Sequence, residues 1–269
     1  MTIFNSNGTS NGTYYQLTGS GKSTIILIHG LGLNHQMWQY QTPALAAYGQ
    51  VLCYDLYGHG QSVPPPEKPS LSMFSRQLAE LMDALNIEQA TIMGFSLGGM
   101  IVRRFAMDHP DKAKSIAILH SPHQRTQAAH DHIQNRVYQA QKDGPDATVE
   151  DALIRWFTDA FRANDPHTLN QIRQWVKAND KNIYPDIYQV LVSGVDELVA
   201  PESPISCPTL VMTGDEDYGN NADMSAAIAA EIPNARLTIL KGLRHMAMME
   251  DPDRFNQVLV DFLATHHSI

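Results

Sequence analysis

Ser96 lies in Gly94-Phe95-Ser96-Leu97-Gly98, after the apolar run Ala90-Thr91-Ile92-Met93 and before the helix-like stretch Met100-Ile101-Val102-Arg103-Arg104-Phe105-Ala106. A Gly-x-Ser-x-Gly pattern between a strand and a helix makes a sharp, strained turn. The turn lifts the serine hydroxyl out at the end of the strand, and the glycines keep side chains from crowding it. Ser is also a good helix N-cap, and alone it would mean no more than that. Gly94, Gly98 and Gly99 permit close backbone approach on both sides, so Ser96 reads as a nucleophile. A free hydroxyl is a poor one, and it needs a base and an acid that orients the base.

His245 is the expected base. It follows the apolar run ending at Leu240, in Gly242-Leu243-Arg244-His245-Met246. His29, His59, His120 and His123 also fall near strand ends. Only His245, apart from the tail pair His266-His267, comes after both the serine and a strand-end carboxylate, which gives the chain order Ser, acid, His. The acid lies in Gly214-Asp215-Glu216-Asp217. It must hold the imidazole in one tautomer and stabilise the imidazolium, and residue type and position do not choose among the three carboxylates. Acyl transfer also needs two preorganised N–H donors for the oxyanion. Leu97, just after the serine, supplies one. Leu31, in the loop His29-Gly30-Leu31-Gly32 after residues 24–28, supplies the other. Gly30, Phe95 and Met246 flank these groups and are the expected substrate contacts.

Other patterns carry less. Thr18-Gly19-Ser20-Gly21-Lys22-Ser23-Thr24 suggests a phosphate loop, but Gln16 stands where the motif needs its first glycine, and the glycines precede a strand. A hairpin turn is the plainer expectation. His120, His123, His130 and His132 match no zinc spacing and bring no nearby cysteine. They read as solvated or packed residues, so no metal is expected. Met246, Met248 and Met249 read as core or pocket wall.

The bulk properties set limits. The 269 residues carry a net charge of −9, which disfavours nucleic acid and anionic membranes as partners. No apolar run approaches the roughly 20 residues of a membrane span. Met1-Thr2-Ile3-Phe4 shows no basic and then apolar signal pattern. Asn7-Gly8-Thr9 and Asn11-Gly12-Thr13 therefore mean little as glycosylation acceptors. Cys53 and Cys207, in or beside apolar runs, read as reduced buried thiols. A cytoplasmic location is expected; oligomeric state is not legible.

Short, nearly continuous apolar runs recur at residues 24–28, 51–54, 90–93, 115–119, 209–212 and 237–240, as strands buried on both faces do. Helical stripes intervene: Phe74, Leu78, Leu81, Met82 and Leu85, then Phe255, Val258, Leu259, Phe262 and Leu263. This alternation predicts a mostly parallel, three-layer α/β sheet. It stops between about Pro122 and Ser206, where the period is helical only. The expected organisation is a core of residues 1–121 and 207–269 with a helical cap of residues 122–206 over the strand ends where α/β ligand sites lie. The cap aromatics Trp156, Phe157, Phe161, Trp175, Tyr184 and Tyr188 read mostly as cap core.

Along nearly its whole length the chain resembles the α/β-hydrolase superfamily. The resemblance rests on His29-Gly30-Leu31-Gly32 with Trp38 following, Asp55-Leu56-Tyr57-Gly58-His59-Gly60-Gln61-Ser62, the Gly94 to Gly99 segment, residues 208–217, and His245 with Glu250 and Pro252. It implies an eight-stranded, mostly parallel sheet with a mobile cap, no cofactor and no metal. The implied chemistry is hydrolysis of a small-molecule ester or lactone through an acyl-enzyme. The family's Gly-x-x-Asp pattern selects Asp217 as the acid. Within the superfamily the chain is similar to small hydrolases likened to 3-oxoadipate enol-lactonases. Ser96 stands where haloalkane dehalogenases carry aspartate. Leu97 and Phe95 count against perhydrolases and carbon–carbon hydrolases. Arg244 departs from the small residue usual beside the base. It either meets a carboxylate-bearing substrate or points to water, and the second is the plainer reading. A different class of function, a small-ligand receptor on a hydrolase scaffold, fits the same fold.

Overall fold

The computed structural model describes residues 5–266. The segment read for a targeting signal and His267 of the tail pair lie outside the described residues. In chain order the strands are β1 (Asn5–Ser10), β2 (Thr13–Thr18), β3 (Thr24–Ile28), β4 (Gln50–Tyr54), β5 (Ala90–Phe95), β6 (Ala113–Leu119), β7 (Thr209–Gly214) and β8 (Arg236–Leu240). The helices are α1 (Gln41–Leu45), α2 (Leu71–Ala84), α3 (Leu97–Asp108), α4 (Gln127–Asp143), α5 (Asp146–Trp156), α6 (Asp159–Asn164), α7 (Pro166–Lys177), α8 (Tyr184–Ser193), α9 (Ala222–Glu231), α10 (Ala247–Glu250) and α11 (Pro252–His266).

The strands form one sheet in the order β1-β2-β4-β3-β5-β6-β7-β8. The β1–β2 and β2–β4 pairings are antiparallel, and every pairing from β4–β3 to β7–β8 is parallel. Successive strand residues face opposite sides. Ile26 and Ile28 of β3 accordingly join one core with Phe74 and Leu78 of α2, while Ile25 and Leu27 join the other with Phe255 and Leu259 of α11. Two apolar faces, each covered by helices, make the three layers that the continuous runs require. The helical stripes serve this directly. Phe74, Leu78, Leu81 and Met82 are all buried, and Ser70 caps α2 by accepting from the Met73 N–H at 3.1 Å.

Three local expectations are corrected. The glycines of residues 19–21 do not close a hairpin. β2 and β3 are both neighbours of β4, so the segment crosses over the end of that strand, with Gly19 and Gly21 at φ +85° and +148°. The hairpin is one turn earlier, between β1 and β2. Asn11 and Gly12 there have φ of +48° and +79°, the pair of positive values that an Asn-Gly type I′ turn needs. Strand β8 is not buried on both faces, because it is a sheet edge and leaves Leu237 and Ile239 exposed. Cys207 is only half-buried; Cys53 is buried, and burial pushes its thiol up to about 12.

Between β6 and β7 the chain is helical, running through α4 to α8. Helices α4 and α8 add Ile133, Val137, Ile187 and Val190 to the first core. Helices α5 and α7 add Val149, Leu153, Ile172 and Val176 to the second. Among the described residues, no helix is long and apolar enough to cross a membrane.

Candidate active site

Ser96 sits between β5 and α3 with φ +55° and ψ −112°, a left-handed conformation that an L-residue adopts only under constraint. The neighbouring glycines supply the constraint. A Cβ on Gly94 would lie 2.1 Å from the Gly98 carbonyl oxygen, and a Cβ on Gly98 would lie 2.4 Å from that of Ile28. The Ser96 N–H donates to the Leu119 carbonyl at 2.8 Å, and its own carbonyl accepts from Ser121 Oγ at 3.1 Å. β5, β6 and the start of α3 are thereby locked around the serine.

The loop after β7 sorts the three carboxylates. Asp215 is exposed and accepts from the Gly242 N–H at 2.6 Å. Glu216 faces Arg244 at 3.6 Å. Asp217 is 2% exposed. Its Oδ2 accepts from His245 Nδ1 at 2.6 Å and from His120 Nδ1 at 3.0 Å, while its Oδ1 accepts from the N–H groups of Gly219 and Asn220. Burial alone would raise its pKa. The His245 charge and the bonds from both imidazoles overcome this and hold the carboxyl well below the usual range. Gly214 lets the two loops meet, since a Cβ there would lie 2.0 Å from the Leu243 carbonyl oxygen.

A cavity of about 290 Å³ contains Leu31, Phe95, Ser96, Asp217 and His245 in its wall. The His245 ring also packs on Phe95, with centroids 4.6 Å apart. Leu97 is the first residue of α3, where an N–H has no partner within the helix. In the turn of residues 30–33 the Leu33 N–H closes on the Gly30 carbonyl and the Gly32 N–H donates to His59 Nε2 at 3.0 Å, and among the described residues the Leu31 N–H has no acceptor. Gly30 packs against Phe95 and Ser96, since a Cβ there would be 2.8 Å from Phe95 and 3.4 Å from Ser96.

Met246 is a correction. Its side chain is fully buried among core residues, and only its N–H, donated to the Trp156 carbonyl at 2.9 Å, reaches toward the inserted helices. Arg244 does not line the cavity and does not point to water. Its Nη1 donates to the carbonyls of Ile154 and Phe157 and to Asp159. The cap aromatics divide. Trp156, Tyr184 and Tyr188 line the cavity, Phe157 and Phe161 stack on each other, and Trp175 donates to Gln36.

Sequence reasoning gave no role to His120, Arg125, Arg136 or Arg155. His120 ends β6 and is fully buried at the site, and the three arginines line the cavity. His123, by contrast, pairs with Glu231 at 2.9 Å away from Ser96. The donor atoms of His120, Asp217 and His245 lie within 4.8 Å of one another, as ligands of an ion would. Two tetrahedral ligands at about 2.1 Å from a zinc ion stand about 3.4 Å apart. The 2.6 Å between His245 and Asp217 is instead hydrogen-bond contact.

Fold and site geometry together define a class. Residues 23–252 match the family model of the alpha/beta hydrolase fold, and the chain belongs to that family. It is 28% identical to the (E)-2-((N-methylformamido)methylene)succinate hydrolase of Acinetobacter baylyi over 94% of each chain. It is 25% identical to 3-oxoadipate enol-lactonase 2 of the same organism, over 88% of this chain and 87% of that one. Among solved structures it is similar to the enol-lactonase from Burkholderia xenovorans LB400. That match has a TM-score of 0.86 and 27% identity, and covers 96% of this chain and all of the other.

Proposed function

We propose that the protein is a serine-dependent carboxylic-ester hydrolase of small-molecule esters or lactones, with Ser96, His245 and Asp217 as its triad and residues 122–206 as a cap over the pocket. One observation carries the reading. A serine held at φ +55° shares a cavity with a histidine whose Nδ1 is bound at 2.6 Å to a buried carboxylate. With Nδ1 engaged, the tautomer is fixed and Nε2 is the basic atom. His245 Nε2 takes the Ser96 proton as Oγ attacks the substrate carbonyl. The Leu31 and Leu97 N–H groups hold the oxyanion, and His245 then protonates the leaving oxygen. Water, activated by the same histidine, releases the acid and restores Ser96.

The enol-lactonases among the relatives support lactones as one form of substrate. A lactone keeps its leaving oxygen tethered in the pocket, which suits a small cavity. Turnover of short- and medium-chain p-nitrophenyl esters by wild type beside Ser96→Ala is the test. Loss of turnover in the variant is expected, by roughly 10⁶-fold where nucleophile and base act as a unit. Full activity in Ser96→Ala would end the reading. Single-turnover hydrolysis joined to ligand-dependent binding of a partner would favour a receptor instead.

A further inference from the structure

Arg125, just before α4, Arg136 within it, and Arg155 at the end of α5 come from separate turns of the inserted helices, yet all three line the cavity that holds Ser96 and His245. Most other arginines are paired. Arg103, Arg104, Arg162, Arg173 and Arg244 each face a carboxylate within 4 Å. Among the described residues the three in the cavity form no ion pair. Arg136 Nε donates instead to Tyr188 Oη at 3.0 Å, which aims the guanidinium along the wall. Among the described residues the only carboxylate in the wall is Asp217, already bound to His245 and His120. Burial and then the nearby Arg136 charge bring the Arg125 guanidinium down to about 10, and Asp196 and Asp151 offset Arg125 and Arg155 only at longer range.

Three mutually repelling, partly desolvated cations without counter-ions cost stability. They sit together in a protein whose net charge is −9, so the cluster is opposite in sign to the molecule as a whole. An anionic ligand removes the cost. The fork of a guanidinium matches a carboxylate bidentately. We propose that Arg125, Arg136 and Arg155 form a carboxylate-binding subsite, and that the substrate is an ester or lactone bearing at least one free carboxylate away from the bond that is cleaved. The proposal rests on the hydrolase reading above. It also gives the cap its part in specificity, since all three cations lie on the inserted segment and none on the sheet.

The test compares p-nitrophenyl butyrate with mono-p-nitrophenyl succinate, similar in length and differing by one carboxylate. Wild type is expected to favour the succinate half-ester in kcat/KM, chiefly through a lower KM. Arg125→Gln and Arg155→Gln should each cut that preference about tenfold to a hundredfold, the usual worth of a charge-assisted hydrogen bond. Arg173→Gln, on the surface and paired with Glu150, is the folded control and should leave the preference intact. Free succinate should inhibit wild type competitively and the arginine variants far more weakly.

Turnover of the butyrate with no preference for the half-ester would overturn the subsite and leave the hydrolase reading standing. Inhibition by inorganic phosphate but not by succinate would overturn it in favour of a phosphate-bearing substrate. If neither ester is turned over, succinate binding by calorimetry still decides the matter. Binding lost in Arg125→Gln supports the subsite, and no binding by wild type removes it.

Discussion

His120 and His245 meet edge to face at 5.6 Å and share one oxygen of Asp217. The carboxylate therefore has two imidazole donors, one on the loop after β8 and one at the end of β6. Burial keeps His120 neutral by lowering its pKa, and among the described residues its Nε2 has no partner. The Asn220 side chain fixes the His120 backbone by donating to its carbonyl at 2.7 Å. In the proposed mechanism His120 would position Asp217 and act through it.

Replacing His120 by alanine removes a donor from a buried carboxylate. The Asp217 pKa should rise, and because acid and base titrate together, the acid limb of the kcat/KM profile should move to higher pH. A fall of roughly tenfold in kcat is expected, the scale of one hydrogen bond to a charged group. A profile that keeps its shape with kcat unchanged would reduce His120 to a packing residue.

Asp217→Asn and Asp215→Asn separate the two aspartates of the loop after β7. The amide in place of the Asp217 carboxylate would keep the shape but stabilise the wrong imidazole tautomer, a change that costs about 10⁴ in kcat where such triads have been dissected. Asp215 is exposed and accepts from a loop N–H, so its amide should change kcat less than about twofold. Ester kinetics on both variants decide between them, and comparable losses would remove Asp217 from its assigned role.

The loop that carries Leu31 rests on two histidines that must stay neutral. His29 Nε2 accepts from the Leu56 N–H and His59 Nε2 from the Gly32 N–H. Burial, the largest cause, lowers His29 to about 4 and His59 to about 3. In the unfolded chain both protonate near pH 6.5. Their contribution to stability is complete above that value and is lost as pH falls through the folded values. The loss approaches about 1.4 kcal/mol per pH unit for each histidine. Urea midpoints should therefore be flat above pH 7 and drop from pH 6 to 4.5. A midpoint constant down to pH 4.5 would show that these rings do not govern acid stability.

The elements that position the site were legible wherever burial leaves a pattern. The core strands β3 to β7 are mostly apolar on both faces, and their few buried polar residues, such as Thr91 and Ser115, bond each other. β1 is not legible in this way, because Asn5, Ser6 and Asn7 are exposed and carry no hydrophobic period. Only Asn11-Gly12 marks the hairpin. Gly94 and Gly98 are readable because backbone leaves no room for a Cβ at either position. The choice among Asp215, Glu216 and Asp217 depends on which side chain turns inward, and a family pattern supplied what residue types could not. The arginines were invisible for the opposite reason. A cation on a helix ordinarily marks a solvated face, and only the fold shows that Arg125, Arg136 and Arg155 converge on one cavity.

Arg244 and its neighbours stitch His245, the proposed base, to the inserted helices. Arg244 Nη1 donates to Ile154 and Phe157, the Met246 N–H donates to Trp156, and the Thr158 N–H and hydroxyl donate to Glu250. The bonds flank His245 on both sides and end in one short stretch, residues 154–158, where α5 gives way to α6. A change in that junction therefore reaches His245 without touching the cavity. Arg244→Ala should lower stability by about 1–3 kcal/mol, because the carbonyls of Ile154 and Phe157 lose their charged donor. It should also lower kcat several-fold with KM less affected, because the His245 loop loses part of its support. Arg244→Lys keeps one charged donor without the guanidinium fork, and should recover part of both. Thermal melts and ester kinetics on the two variants test this. A stability loss with kcat unchanged would show that the junction holds the cap together but does not position the base.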